Sequence, residues 1–404
     1  MTTVPTVTTT HPAPSRSGSR WQAISAAWAV TAVFALSNSP TPLYAYWQHE
    51  LGYSPGTLTV VFAVYIAGLV LTLLVAGRAA DRYGRKRVVV PGILVALVSA
   101  VLFMTADSVA ALIVARFLVG VSVGIVVSAG MAAVVDLGGE HRRQTTSMLA
   151  SIAMVFGAGL GPLLGGLVYE VTDRPVEWVF SVNIALLVLA LAGYAGLPLP
   201  RPAGHGFPWP RLPHVPAPDR VRISSGAAVF GPGLTATSFV LSLGPSLLVL
   251  VAGNTSPLLA GGAACLMFLA ATGSQLALTR LAVHRLFALG TVSTVLAMSA
   301  VVLTLVTRSP ALFVASAVLA GAGQGLGQLG GLRLIAQHVE SHRRAEANAA
   351  LNISAYLPAA LLTVATGYAV SGWGMAPATA TLAATVAIAG LVLGFAAYRT
   401  NARE

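Results

Sequence analysis

Arg116 is the one strongly charged side chain that falls well inside a long apolar run of this chain. An arginine at a membrane helix centre costs about 2.5–3.5 kcal/mol on insertion scales, and such residues usually face a cavity or a partner. Two roles fit Arg116: a fixed positive charge beside a pathway, or a snorkelling side chain that reaches lipid headgroups. It cannot release its proton, so it cannot titrate with a substrate. All 12 acids fall in loops, tails or the ends of apolar runs, among them Glu50, Asp107, Asp136 and Glu170. Uncharged polar residues inside the runs sketch a cavity. Asn38 and Tyr44 lie beside Pro40 and Pro42, and Tyr65 follows. Gln324 and Gln328 stand one turn apart, as do Asn352 and Tyr356. With Met154, Phe156 and Phe239 these residues predict a large, mostly apolar space for a lipophilic small molecule. Each polar residue taken singly also fits interhelical packing. No His-Glu-x-x-His, no Gly-x-Ser-x-Gly and no pair of intramembrane acids occurs, and the histidines sit in tails and loops. No catalytic site, metal site or cofactor is expected.

A second cluster of chemistry lies between two apolar runs. Gly77, Arg78, Asp81, Arg82, Gly84, Arg85, Lys86 and Arg87 fall within one short stretch. Positive charge concentrated between two spans marks a cytoplasmic loop. Its glycines allow a tight turn, and Asp81 can cap a helix or pair with an arginine.

The elements that must hold these residues follow from composition. Apolar residues make up 56% of 404, charged residues 9%, and mean hydropathy is +0.80. Soluble domains are about a quarter charged. A helical span takes about 20 apolar residues, and twelve fit. The expected class is an all-α integral membrane protein with twelve transmembrane helices in two six-helix bundles. Residues 1–21 form a polar N-terminal tail, 22–197 one bundle, 198–224 a proline-rich linker, 225–398 the second bundle and 399–404 a tail. With both termini in the cytoplasm, all 23 bases except Arg116, Arg174 and Arg308 fall on the cytoplasmic side. The charge of +11 therefore reads as membrane topology and not as a nucleic-acid surface. Cys265 lies in an apolar run and has no second cysteine to pair with. The two bundles repeat: Ser108–Gly124 aligns without a gap on Ser309–Gly325, which puts Gly120 on Gly321 and Gly124 on Gly325. The same offset carries His141-Arg142-Arg143 onto His342-Arg343-Arg344. Internal duplication of six helices is a transporter architecture.

Three stretches resemble motifs of the major facilitator superfamily. Gly77, Asp81, Arg82, Gly84, Arg85 and Lys86 match its loop between helices 2 and 3. Arg116-Phe117-Leu118-Val119-Gly120 is similar to its helix 4 pattern, with Val119 in place of glutamine. Gly157, Gly161, Pro162, Gly165 and Gly166 resemble a helix 5 pattern of drug-exporting antiporters. Glu177–Asn183 is loosely similar to the entry of helix 6 in such exporters. The resemblance implies alternating access around a midplane cavity, export of a lipophilic small molecule from the cytoplasmic membrane, and a monomer. It implies that Asp136 bonds Arg85, that Asp81 approaches the start of helix 11, and that Asp81 and Arg85 lock the cytoplasmic gate. Gly157, Gly161 and Gly165 are expected to form a packing face between the halves. Proton coupling stands open: helix 1 carries no acid, so either a carboxylate at a span end handles the proton or transport is passive. A metabolite permease or passive uniporter of the same fold is the nearest alternative, and a transporter-like sensor or membrane enzyme the alternative of another class.

Overall fold

A computed structural model describes residues 19–199, 217–253, 256–340 and 343–402. Most of the expected N-terminal tail, most of the linker and His342 lie outside that set. Among the described residues the ordered segments are helical. That follows from the solvent: in lipid a helix satisfies every backbone group within one segment.

The helices are α1 Arg20–Asn38, α2 Tyr44–Leu51, α3 Pro55–Tyr83, α4 Arg85–Met104, α5 Val109–Ile125, α6 Met131–Gly138, α7 Arg143–Val171 and α8 Pro175–Ala195. The second half contributes α9 Ala217–Ser242, α10 Gly244–Ala252, α11 Pro257–Ala277, α12 Val283–Thr307, α13 Pro310–His338, α14 Arg344–Trp373 and α15 Met375–Asn401. Ten helical runs are long and apolar enough to cross a membrane, with Val109–Gly138 counted as one, and the bent pair α9–α10 makes an eleventh. The twelfth is α1 continued by α2 across the Pro40–Pro42 break. This is the twelve-span, two-bundle fold.

Sequence sets the helix ends. Ser19 and Gln22 close a capping box at the start of α1. Ser54, Ser108 and Ser256 accept backbone N–H groups at the starts of α3, α5 and α11. Proline opens α3 and α11 at a position where no donor is needed. Gly84, at φ +94°, is the whole turn between α3 and α4, a conformation that glycine alone adopts without strain. Two boundaries differ from expectation. The first helix begins at Arg20, and α9 begins at Ala217, inside the stretch expected as linker. There Asp219 sits in the first turn, where the helix dipole favours a carboxylate.

The internal repeat is visible in the packing. A Cβ on Gly120 or Gly124 would strike the backbone of α3, at Tyr65 and Leu69. A Cβ on Gly321 or Gly325 would strike the backbone of α11, at Met267 and Ala271. The two glycine pairs thus make the same close helix crossing in each half. The first span of each half is also broken at a matching depth, by Ser39–Leu43 and by the 59° bend at Leu243. Between α5 and α6 five residues, Val126–Gly130, form a π-helical turn, which the sequence reading does not anticipate.

Two ends of the bundle can be told apart. The basic end carries the α3–α4 turn and the start of α14; the far end carries the starts of α3, α5 and α11. At the far end the halves meet closely. The Ser246 hydroxyl lies 3.4 Å from Gln48 Oε1. The Gly56 N–H donates to Ser371 Oγ, and Gly166 packs on Pro257 and Leu258.

Candidate functional site

On the basic-end side of that seam lies a cavity of about 250 Å³, lined by both halves. Asn38, Tyr65, Met154, Gln324, Gln328, Asn352 and Tyr356 all line it. Seven residues chosen from the sequence for this role therefore converge on one space. Tyr44 and Phe239 do not. Both are fully buried in the helix packing, Tyr44 against Trp47 and Arg116. Phe156 is 55% exposed on the outer surface, where lipid lies. Nothing in their residue types shows which way they turn, because a long membrane helix is apolar on every face and its periodicity carries little direction. The wall also includes Phe62, Leu73, Val127, Phe268 and Gln275. Phe62 and Leu73 share the face of Tyr65 at helical spacing, a signal the sequence does hold. Gln275 was missed; its amide donates to Gln328 Oε1 at 3.1 Å.

Arg116 does not snorkel. Its side chain is 2% exposed and turned inward. Nη1 donates to the Ser37 carbonyl at 2.7 Å, an acceptor near the break that ends α1. Three rings close on the guanidinium, with centres 5.5, 5.4 and 5.2 Å away: Tyr44, Phe62 and Tyr65. Their negative faces hold a cation without a counter-ion. Nε is buried without an acceptor, and no carboxylate pairs with Arg116 among the described residues. Arg116 is not itself part of the cavity wall; Phe62 and Tyr65 stand in the wall and stack on it.

The basic end holds a carboxylate–arginine cluster. Arg85 Nε lies 3.2 Å from Asp136 Oδ2 at the end of α6, and Arg85 Nη1 lies 3.0 Å from Asp81 Oδ1 one turn before it. Gly84 turns the chain between them. Lys86 donates to the Leu197 carbonyl. Gly77 meets nothing within contact range of a Cβ, and Arg82 lies in the last turn of α3. The Asp81 carboxylate is 70% exposed and paired with Arg85, and α14 starts after Arg343 without a side-chain cap. The whole Asp81–Arg85–Asp136 cluster lies within the first half. The ion pair that crosses to α14 is Arg78 with Glu346, at 3.6 Å.

The helix 5 glycines also need correction. Gly157, Gly161 and Gly165 face α1 of their own half, against the backbone of Thr31, Ala35 and Ser39. The contact between halves uses the next face of α7. Gly159 meets Cys265, the Pro162 carbonyl meets Gly261, and Gly166 meets Leu258. The reason is geometric: α7 is packed between α1 and α11, and both neighbours approach to backbone contact, so two faces must be small. Asn183 fixes the other side of the α1 break, donating from Nδ2 to Ser39 Oγ at 3.0 Å.

The family model described as Major Facilitator Superfamily matches residues 26–307. The chain belongs to that superfamily. Among curated facilitators, Multidrug resistance protein MdtL of Escherichia coli strain UTI89 is 32% identical over 145 residues, 35% of this chain and 37% of that protein. MdtL of Shigella dysenteriae serotype 1 is 31% identical over the same length. The chain thus spans little more than a third of the length of these relatives. Solved facilitator structures share the fold. The nucleoside transporter NupG aligns with a TM-score of 0.70 at 14% identity, over 93% of this chain and 98% of that one. An inward-facing bacterial homologue of the lysosomal transporter Spinster aligns with 0.72 at 15% identity, over 97% and 99%. A POT family transporter in complex with 5-aminolevulinic acid aligns with 0.76 at 12% identity, over 92% and 94%. The molecule is a membrane transporter of this superfamily and not an enzyme.

Proposed function

We propose that this transporter exports small lipophilic molecules across the cytoplasmic membrane by rocking its two halves around the central cavity. The observation that carries the reading is the cavity itself: both halves line it, it is mostly apolar, and a close seam bounds it at one end. A mobile seam on either side of a fixed site is what alternating access requires. The local likeness to proteins named for multidrug resistance supports export of drug-like molecules. The charge pattern supports both termini, and the basic end, in the cytoplasm. In that orientation the structure is closed toward the outside.

Proton coupling, in this reading, uses the basic-end cluster. No carboxylate lines the cavity, and Arg116 keeps its proton. Asp81 and Asp136 share one arginine at the basic end, so a change of charge on either carboxylate alters what holds Arg85. The substrates are tested by drug and dye accumulation in cells with and without the protein. Lower accumulation of lipophilic compounds is expected, and unchanged accumulation across the panel would refute export.

A further inference from the structure

We infer that the substrate is an uncharged molecule with two unlike faces: a flat apolar body and one edge that both donates and accepts hydrogen bonds, as an amide or lactam does. This rests on the transport reading and names the chemistry that its cavity selects. The two halves line the cavity differently. The first half gives a nearly continuous apolar wall, including Phe34, Phe62, Ile66, Leu69 and Val127. Its amide, Asn38, is engaged locally, donating from Nδ2 to Phe34 O and Ser37 Oγ. The second half gives the amides Gln275, Gln324, Gln328 and Asn352 and the phenol of Tyr356. Part of that set is already satisfied: Gln275 donates to Gln328, and Asn352 donates to Asn348 O. The Gln324 amide and the Tyr356 hydroxyl have no hydrogen-bond partner among the described residues, although both face the cavity. A carboxamide offers a donor and an acceptor side by side, so its best complement is a group with the same pair reversed.

Charge narrows the class further. The wall has no Asp, Glu, Lys or Arg. A cation entering it would lose hydration with no carboxylate in reach. An anion would find the nearest positive charge behind the rings of Phe62 and Tyr65. A neutral molecule incurs neither cost, and its apolar body gains burial against the first half.

Four probes with one ring system separate these terms: naphthalene-2-carboxamide, naphthalene-2-carboxylate, 2-naphthyltrimethylammonium and 2-methylnaphthalene. Binding to the purified full-length protein in lipid nanodiscs is measured by the shift in melting temperature and by titration. The carboxamide should bind about tenfold more tightly than each of the others, the size of one net hydrogen bond. Gln324→Leu should bring the carboxamide down to the hydrocarbon and leave the hydrocarbon unchanged. Equal or tighter binding of the carboxylate would overturn the inference in favour of an anion site at Arg116. Equal or tighter binding of the ammonium, or failure of all four to bind, would also overturn it. The charge series uses the wild-type protein, so it decides even if the variant does not fold. Binding does not depend on transport direction: a carboxamide preference with no effect on cellular accumulation would refute export alone, and export without that preference would refute this inference alone.

Discussion

Arg116 and Arg85 solve opposite problems with the same side chain. Arg116 is buried, caged by three rings and bonded to one carbonyl. Arg85 is partly exposed and shared by two carboxylates. Substitutions should separate them. Arg85→Ala removes exposed ion pairs, each worth about 0–1 kcal/mol, so the protein should express and fold. Transport should be lost, because the α3–α4 turn is no longer tied to α6 at the basic end. Efflux measured at matched expression checks this, and wild-type efflux would remove the cluster from the gate. At position 116 the planar guanidinium stacks on the rings, and an ammonium cannot. Arg116→Lys should therefore fail to restore transport although it keeps the charge. Full activity in that variant would show that charge alone matters. The basic loop was legible by motif and spacing, and so was its tie to Asp136. The pair that crosses the halves was not, since Arg78 and Glu346 lie in no shared pattern along the chain.

At the scale of helices, α7 is the element packed to backbone contact against both halves. Its two small faces predict two different failures. Gly161→Leu would push against the Ala35 carbonyl within the first half. Overpacking of this kind costs about 1–3 kcal/mol, and the expected result is a lower melting temperature. Gly166→Leu would push against Pro257 and Leu258 of the other half. There the expected result is a stable protein held open on the outer side. Solvent labelling of a cysteine placed at the outer seam reads the difference: faster labelling in Gly166→Leu than in Gly161→Leu. The reverse order would contradict the assignment of the two faces. The glycine pattern on α7 told the sequence reader that helices approach closely, but not which neighbour each face meets. Small residues mark close contact without naming a partner. The π-helical turn at Val126–Gly130 was invisible for a related reason, since its one glycine, Gly130, is of a kind found throughout these helices and does not by itself mark a bulge. The break after Asn38 was better marked, by Pro40 and Pro42.

For the whole molecule, hydropathy, charge distribution and the repeat were enough to reach twelve helices in two halves. They are averages over many residues and tolerate local error. The cavity depends on single side-chain directions, and there Tyr44, Phe239 and Phe156 went astray. Proton coupling, as proposed, would be a property of the entire cycle. The most direct measurement places purified protein in sealed liposomes, supplies a lipophilic fluorescent dye at equal concentration on both sides, and imposes a pH gradient. The account predicts dye movement against its own gradient, driven by proton flow the other way and lost in Asp136→Asn. Equilibration at the same rate and to the same level with and without the pH gradient would contradict proton-driven export and leave a passive facilitator.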